Sequence, residues 1–222
     1  VHIVDFGKQL LDAFAKLGLP LSERHRVPLD ELEEAERRLG LPLPGVLRQY
    51  YLLAGRHPLN LALNELRAPS ELSMEGDVLV FMDENQGVVR WGIAGSGLAL
   101  EDPPVLQART GAELTWYPED DSLENFLLLM MHWQAVSGGL PFLASWSARS
   151  FDIGIGWELA AQAHEMTAYS RSSAALCVVR ENDQAHIYLG ALDASAFEAA
   201  SAELDVDWDY PSLNDAPKVT LN

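Results

Sequence analysis

The stretch Phe81–Ile93, FMDENQGVVRWGI, decides how the chain is read. Two short apolar runs flank the polar turn Glu84-Asn85-Gln86-Gly87. Phe81, Val88, Val89 and Trp91 suit a pleated, half-buried surface. Asn-Gln-Gly supplies the turn between two strands. An acid and an amide precede the glycine, and Trp91 sits five residues after Gln86. The turn reads as specified rather than interchangeable, and it has no catalytic companion nearby.

Outward from this hairpin the elements alternate in type. Asp5 to Leu17 has Phe6, Leu10, Ala13, Phe14 and Leu17 on one helical face, and Gly18 and Pro20 end it. In PLDELEEAERRLG, Leu32, Ala35, Glu36 and Leu39 share a face. Acids crowd its start, while Arg37 and Arg38 stand near its end, an order that complements the helix dipole. Gly40 is the expected stop. Pro44 is placed in the first turn of a third helix reaching Ala54 and closed by Gly55. Glu36, an acid on an apolar face, is expected to accept hydrogen bonds from the Leu41–Gly45 loop.

On the C-terminal side of the hairpin, Val105 to Ala108 and Leu114 to Tyr117 are weaker strands. Asp121 and Glu124 have capping-box spacing before a helix spanning Leu123 to Val136, which Gly138-Gly139 stop. Glu119-Asp120-Asp121 is read as a cap and a solvated surface rather than a cation site. Further on, Trp157 to Met166 is assigned helix. Ala175–Arg180 and Ala185–Leu189 form a hairpin around Glu181-Asn182-Asp183. Ser195 to Leu204 is helical, with Asp193 near its cap. Asp205, Asp207 and Asp209 alternate with Val206, Trp208 and Tyr210, as in an acidic edge strand or extended tail. The fold expected is α+β, a single domain over residues 1–222 with a mainly antiparallel or mixed sheet flanked by helices.

Composition narrows the function classes. With 222 residues and 48% hydrophobic content, a sizeable core is possible. No apolar run approaches a membrane span, and the N-terminal stretch lacks the pattern of a signal peptide, so a cytoplasmic protein is expected. The one cysteine, Cys177 in ALCVV, forms no internal disulfide and sits as a buried strand cysteine would. None of the six histidines has HExxH spacing. Gly154-Ile155-Gly156 lacks the third glycine of a dinucleotide loop, and Gly95-Ser96-Gly97 lacks nucleophile-elbow spacing. No catalytic residue, metal ligand or cofactor is assigned.

Charge is the remaining signal. The net charge is −18, from 15 basic and 33 acidic residues. Residues 1–110 hold 11 basic and 16 acidic residues, and residues 111–222 hold 4 and 17. Such a field repels nucleic acid and attracts a basic protein.

Two stretches together resemble the SUKH superfamily, which includes bacterial immunity proteins and fungal regulators of cell-wall synthesis. The first is Leu32 to Gly55, LEEAERRLGLPLPGVLRQYYLLAG. The second is the opening hairpin, with Glu84, Gln86, Val88, Trp91 and Gly92 in matching order. Asp102-Pro103-Pro104-Val105, Trp116 and the helix ending in Gly138-Gly139 are similar in order and spacing, so the likeness covers roughly residues 27–145.

The resemblance implies a non-enzymatic fold with a mixed sheet and a binding role. In many bacterial members that role is neutralising a cognate toxin, often a nuclease. Its characteristic residues, here Glu36, Gly40, Gly55, Glu84, Gln86, Trp91 and Gly92, are largely fold-forming.

The expected function is therefore an immunity protein that occludes a basic toxin domain. Candidate contacts are Asp83, Glu84, Gln86 and Trp91 at the hairpin, and Glu119, Asp120, Asp121 and Glu124. Asp205, Asp207 and Asp209 are a second option. Trp91 and Trp116 could anchor a partner, although each also suits a core. The alternatives are a regulatory scaffold with several weak partners, and an enzyme centred on Glu84 or Glu36, whose carboxylate would have a raised pKa.

Overall fold

The computed structural model describes residues 5–111, 114–149, 151–204, 206, 208 and 209. They form an α+β fold with two antiparallel sheets and five α-helices. Contacts divide the chain into two compact units. One comprises Val1–Asp12 with Leu21–Leu127, the other Ala13–Pro20 with Leu128–Asn222. The expectation had been a single sheet.

The first unit opens with α1 (Phe6–Lys16), whose Phe6, Leu10 and Phe14 are buried; its last residues belong to the second unit. α2 (Leu29–Leu39) carries Asp30 and Glu31 in its first turn and Arg37 and Arg38 in its last. Both ends are thus matched to the dipole. It stops at Gly40, which takes the left-handed conformation at φ 72°. A residue with a Cβ resists that geometry, so glycine terminates the helix. α3 (Gly45–Ala54) buries Val46, Leu47, Tyr50, Tyr51 and Ala54. Pro44 stands just before the helix as its N-cap, with ψ 144°, rather than inside the first turn.

Six strands follow. β1 (Glu65–Leu66), β2 (Ser73–Glu75), β3 (Val78–Asp83), β4 (Val89–Ala94), β5 (Val105–Arg109) and β6 (Trp116–Asp120) pair in the order β1-β3-β4-β5-β6. β2 pairs with β3 as well. The expected hairpin is β3–β4, with Leu79 opposite Ile93 and Met82 opposite Trp91. The register slips between Val80 and Met82, which leaves Phe81 as the extra residue. Phe81 meets Phe126 edge-on at 5.8 Å between ring centroids. Gly92 lies where any Cβ would strike Val78 and the Leu79 carbonyl, a reason for glycine in a strand.

α4 (Leu123–Gln134) leads out of this unit. The expected cap at Asp121 is corrected: Ser122 occupies that place, its Oγ accepting from Asn125 N at 3.1 Å. α4 begins at Leu123, as expected, so the cap falls at Ser122 and Asp121 lies one residue outside it. Gly138, at φ 131°, falls in the widened turn Ala135–Gly139 that ends the helical stretch.

The second unit is built on β7 (Phe142–Ala148), β8 (Glu158–Ala163), β9 (Met166–Arg171), β10 (Ala174–Glu181) and β11 (Gln184–Ala191), in the order β7-β11-β10-β9-β8. β10 is central, and Ala174 through Val178 are all buried, as suits a strand covered on both faces. α5 (Ala194–Leu204) starts at Asp193, whose carboxylate accepts from Ala196 N. Phe197, Ala200 and Leu204 pack with Leu176, Val178, Ile187 and Leu189. The opposite face receives Trp133, set edge-on against Tyr188 at 5.0 Å.

Helix had been expected over Trp157–Met166, and the structure shows strand. Ala- and Glu-rich ELAAQA has helical propensity, but pairing of Glu158–Ala163 with β9 overrides it, and His164 turns the chain at φ 47°. Asp205, Asp207 and Tyr210 of the alternating acidic segment lie outside the described residues. Within that segment, Trp208 packs on Phe197, and Asp209 N donates to the Ser145 carbonyl on the edge of β7.

Candidate functional site

The hairpin residues turn inward on their own scaffold. Asp83 ends β3 and is clasped by Arg67, whose Nη2 donates to Oδ1 at 3.0 Å while Nε bonds Oδ2. Arg90 reaches the same carboxylate at 3.6 Å and also pairs with Glu75. All four side chains are half-buried, and this network ties β2, β3 and β4 to the residue that follows β1. Desolvation opposes the charge on Arg67, but the Asp83 carboxylate outweighs it and raises the guanidinium pKa.

Glu84 is spent on its own turn. One carboxylate oxygen accepts from Gln86 N at 3.0 Å and Val88 N at 3.1 Å. Gly87 N donates to the Glu84 carbonyl at 2.7 Å, and Gly87 sits at φ 68°. Gln86 is exposed at the tip. Trp91 is 7% exposed and tilts against Phe126 at 5.9 Å. It is a core residue and offers no surface anchor. Glu36 accepts from Leu43 N at 3.0 Å and faces Arg48 at 3.4 Å, which makes it the loop clamp expected from sequence. Amides therefore hold both carboxylates named for an enzymatic reading, which counts against a reactive role for either.

The second set of acids gathers where β6 meets α4. Asp120 Oδ1 accepts from Ser122 N at 3.0 Å, and Oδ2 accepts from Asn125 Nδ2 at 2.7 Å. Asp102, not singled out from sequence as a contact, joins them. Its carboxylate accepts from Ser122 Oγ at 2.7 Å and from Glu124 N at 2.9 Å. The signal was the turn Asp102-Pro103-Pro104, which places an acid just before β5. Burial, and then the Asp102 charge, raise the Glu124 carboxyl above its ordinary value. Glu119 is the extra residue of a bulge, since Leu106 faces Pro118 and Val105 faces Asp120. Asp121 is exposed and makes no side-chain contact among the described residues.

The fold redistributes charge relative to the linear sequence. The first unit holds 10 Lys/Arg and 21 Asp/Glu, or −11, and the second holds 5 and 12, or −7. The difference arises because the acids from Glu113 to Glu124 belong to the first unit. No Lys or Arg occurs between Arg109 and Arg149. Elsewhere in the first unit six arginines are engaged by acids: Arg26 by Glu23, Arg37 by Glu34, Arg48 by Glu36, Arg56 by Glu31, and Arg67 and Arg90 as above, while Arg38 donates to the Pro69 and Leu72 carbonyls.

Other titratable groups are structural. His25 and His57 meet edge-on at 4.5 Å, and both are buried. Burial lowers both pKa values, with that of His57 falling to about 4 as His25 and Arg24 add to the effect. Burial of Cys177 pushes its thiol pKa far upward, so it remains a protonated core residue. Among the described residues no cluster of His, Cys, Asp and Glu is placed to hold a metal ion, and no helix is long and apolar enough to cross a membrane.

Fold and surface together define an α+β protein with concentrated acidity at one sheet edge. Comparison with protein-family models, curated proteins and solved structures finds no match for this chain.

Proposed function

We propose that the chain binds a basic protein toxin domain and neutralises it by covering its active surface. A nuclease is the class that fits best. The observation carrying this reading is the concentration of acids at β6 and the start of α4. Four carboxylates, from Glu119, Asp120, Asp121 and Glu124, stand there in a segment without Lys or Arg after Arg109, and Asp102 joins them through Ser122 and Glu124 N. A nuclease carries a basic cleft for phosphate, and an acidic surface can occupy it in place of nucleic acid. Rapid, electrostatically guided encounter suits an inhibitor of a lethal partner.

Placement in the SUKH superfamily belongs to the same proposal. It is supported by the succession of α2, α3, the β3–β4 hairpin and α4 over the residues that carry the resemblance. A cytoplasmic, non-enzymatic role follows from it.

The test is co-expression with a toxic domain encoded immediately upstream of the gene. The reading expects survival together with a stable one-to-one complex. Survival with no physical complex would sink direct neutralisation.

A further inference from the structure

An open sheet ends in edge strands, whose outward backbone groups can pair with another chain. In the first unit, β1 and β2 are two and three residues long and share one side of β3. The far edge, β6, is interrupted by Pro118, which has no N–H to donate. In the second unit, Asp209 N already donates to Ser145 on the outer edge of β7. β8 carries none of these protections. It is six residues long, ends the order β7-β11-β10-β9-β8, and contains neither proline nor lysine. Among the described residues no strand pairs with its outer side.

The side chains at this edge are apolar where a surface is ordinarily polar. Leu159 on β8 is 62% exposed, and Ile155, four residues earlier, is 94% exposed. Ile155 stands between Gly154 and Gly156, whose φ angles of 72° and 101° turn the loop outward. The loop is braced at both ends. Asp152 accepts from Gly154 N at 3.2 Å, and at the base Arg171 stacks over Trp157 at 5.6 Å while pairing with Glu203. Charge is compensated as well, because Glu158 is the one charged residue of β8 and Lys16 pairs with it.

We propose that β8 and the Ile155 loop form a contact between two copies of this chain, with β8 pairing antiparallel to its own copy around a twofold axis. The open strand edge calls for an extended strand as occupant. A neutral, apolar surface is a poor match for a basic partner, and copies that each carry −18 meet at least cost where charge is compensated. Antiparallel pairing sets each Glu158 against the uncharged Gln162-Ala163 end of the other copy, whereas parallel pairing would bring the two acids together. A twofold axis then lets one patch serve both copies. The register of β8 on β9 slips between Leu159 and Ala161, a bulge that limits regular pairing, so Leu159 and Ile155 complete the contact by packing. This contact is independent of the basic-partner reading.

Sedimentation of the full chain over about a hundredfold range of concentration measures the contact. The expected result is a reversible monomer–dimer equilibrium that shifts toward dimer as salt rises from about 50 to about 500 mM, because salt screens the repulsion between like-charged copies. Amides of residues 158–163 should exchange hydrogen more slowly at the high end of the concentration range. Leu159→Lys, which sets a charge on the edge, should weaken the dimer about tenfold or more. Ile155→Ser should weaken it about threefold or more. Leu61→Lys, at a comparably exposed leucine of the first unit, should leave it unchanged. A monomer at every concentration and salt, a dimer weakened by salt, unaltered exchange in residues 158–163, or equal effects of Leu159→Lys and Leu61→Lys would each overturn the assignment. Should Leu159→Lys unfold the chain, Ile155→Ser and the exchange of wild type decide the matter.

Discussion

At the scale of single residues, the polar groups that stand out serve the fold. Glu36 and Glu84 each spend a carboxylate on backbone amides. Charge-assisted bonds of this type contribute roughly 1.5–3 kcal/mol each. Buried histidines make a second group, invisible to motif searches because imidazole enters cores without any recurring pattern. The ring of His57 accepts from Leu59 N at 3.1 Å and that of His25 from Ser22 N at 3.1 Å, so both Nδ1 atoms must be unprotonated. His132 is fully buried, and burial lowers its pKa to about 4 against the opposing pull of the Leu128 carbonyl.

These lowered values set a pH dependence. The unfolded chain binds protons near pH 6.5 and the folded chain only near 4. The stabilisation is therefore complete above about pH 6.5 and is lost as pH falls toward 4. Thermal midpoints should drop between pH 7.5 and 5 in wild type, with a shallower drop in a His57→Gln variant. Parallel pH profiles for the two proteins would show that His57 is not held neutral by the fold.

At the scale of elements, legibility followed periodicity. α2 and the β3–β4 hairpin were readable because apolar spacing, charge order and turn glycine agree in each. β10–β11 was readable because Asn182-Asp183 interrupts two apolar runs, and Asn182 does adopt φ 54°. β8 was misread because alanine-rich strands look helical until a partner strand is known. β7 went unassigned for the related reason that its pairing partner, β11, is distant in sequence.

The α4 cap shows how local spacing can mislead by one residue. Ser122→Ala should cost about 1 kcal/mol in chemical denaturation, and Asp121→Ala only a few tenths. A larger loss for Asp121→Ala would restore the cap first read from sequence. Of the candidate site, the acids of β6 and α4 were legible, but their support by Asp102 needed the fold. Trp91 was legible only as apolar, since burial against Phe126 depends on a helix that begins thirty-two residues after it in the chain.

At the scale of the whole molecule, the governing quantity is charge. Within the first unit arginines meet acids of the same unit, as Arg67 and Arg90 do, whereas the sequence from β6 into α4 holds acids and no Lys or Arg. Long-range attraction acts on approach and is screened within roughly 8–10 Å at physiological salt, whereas short-range packing acts after contact. Association with the basic toxin domain proposed as partner, followed by stopped-flow as salt rises from about 50 to about 500 mM, tests that proposal most directly. The account predicts that the association rate falls by about tenfold or more while the dissociation rate changes little. An association rate indifferent to salt, or no complex at the lowest salt, would contradict it.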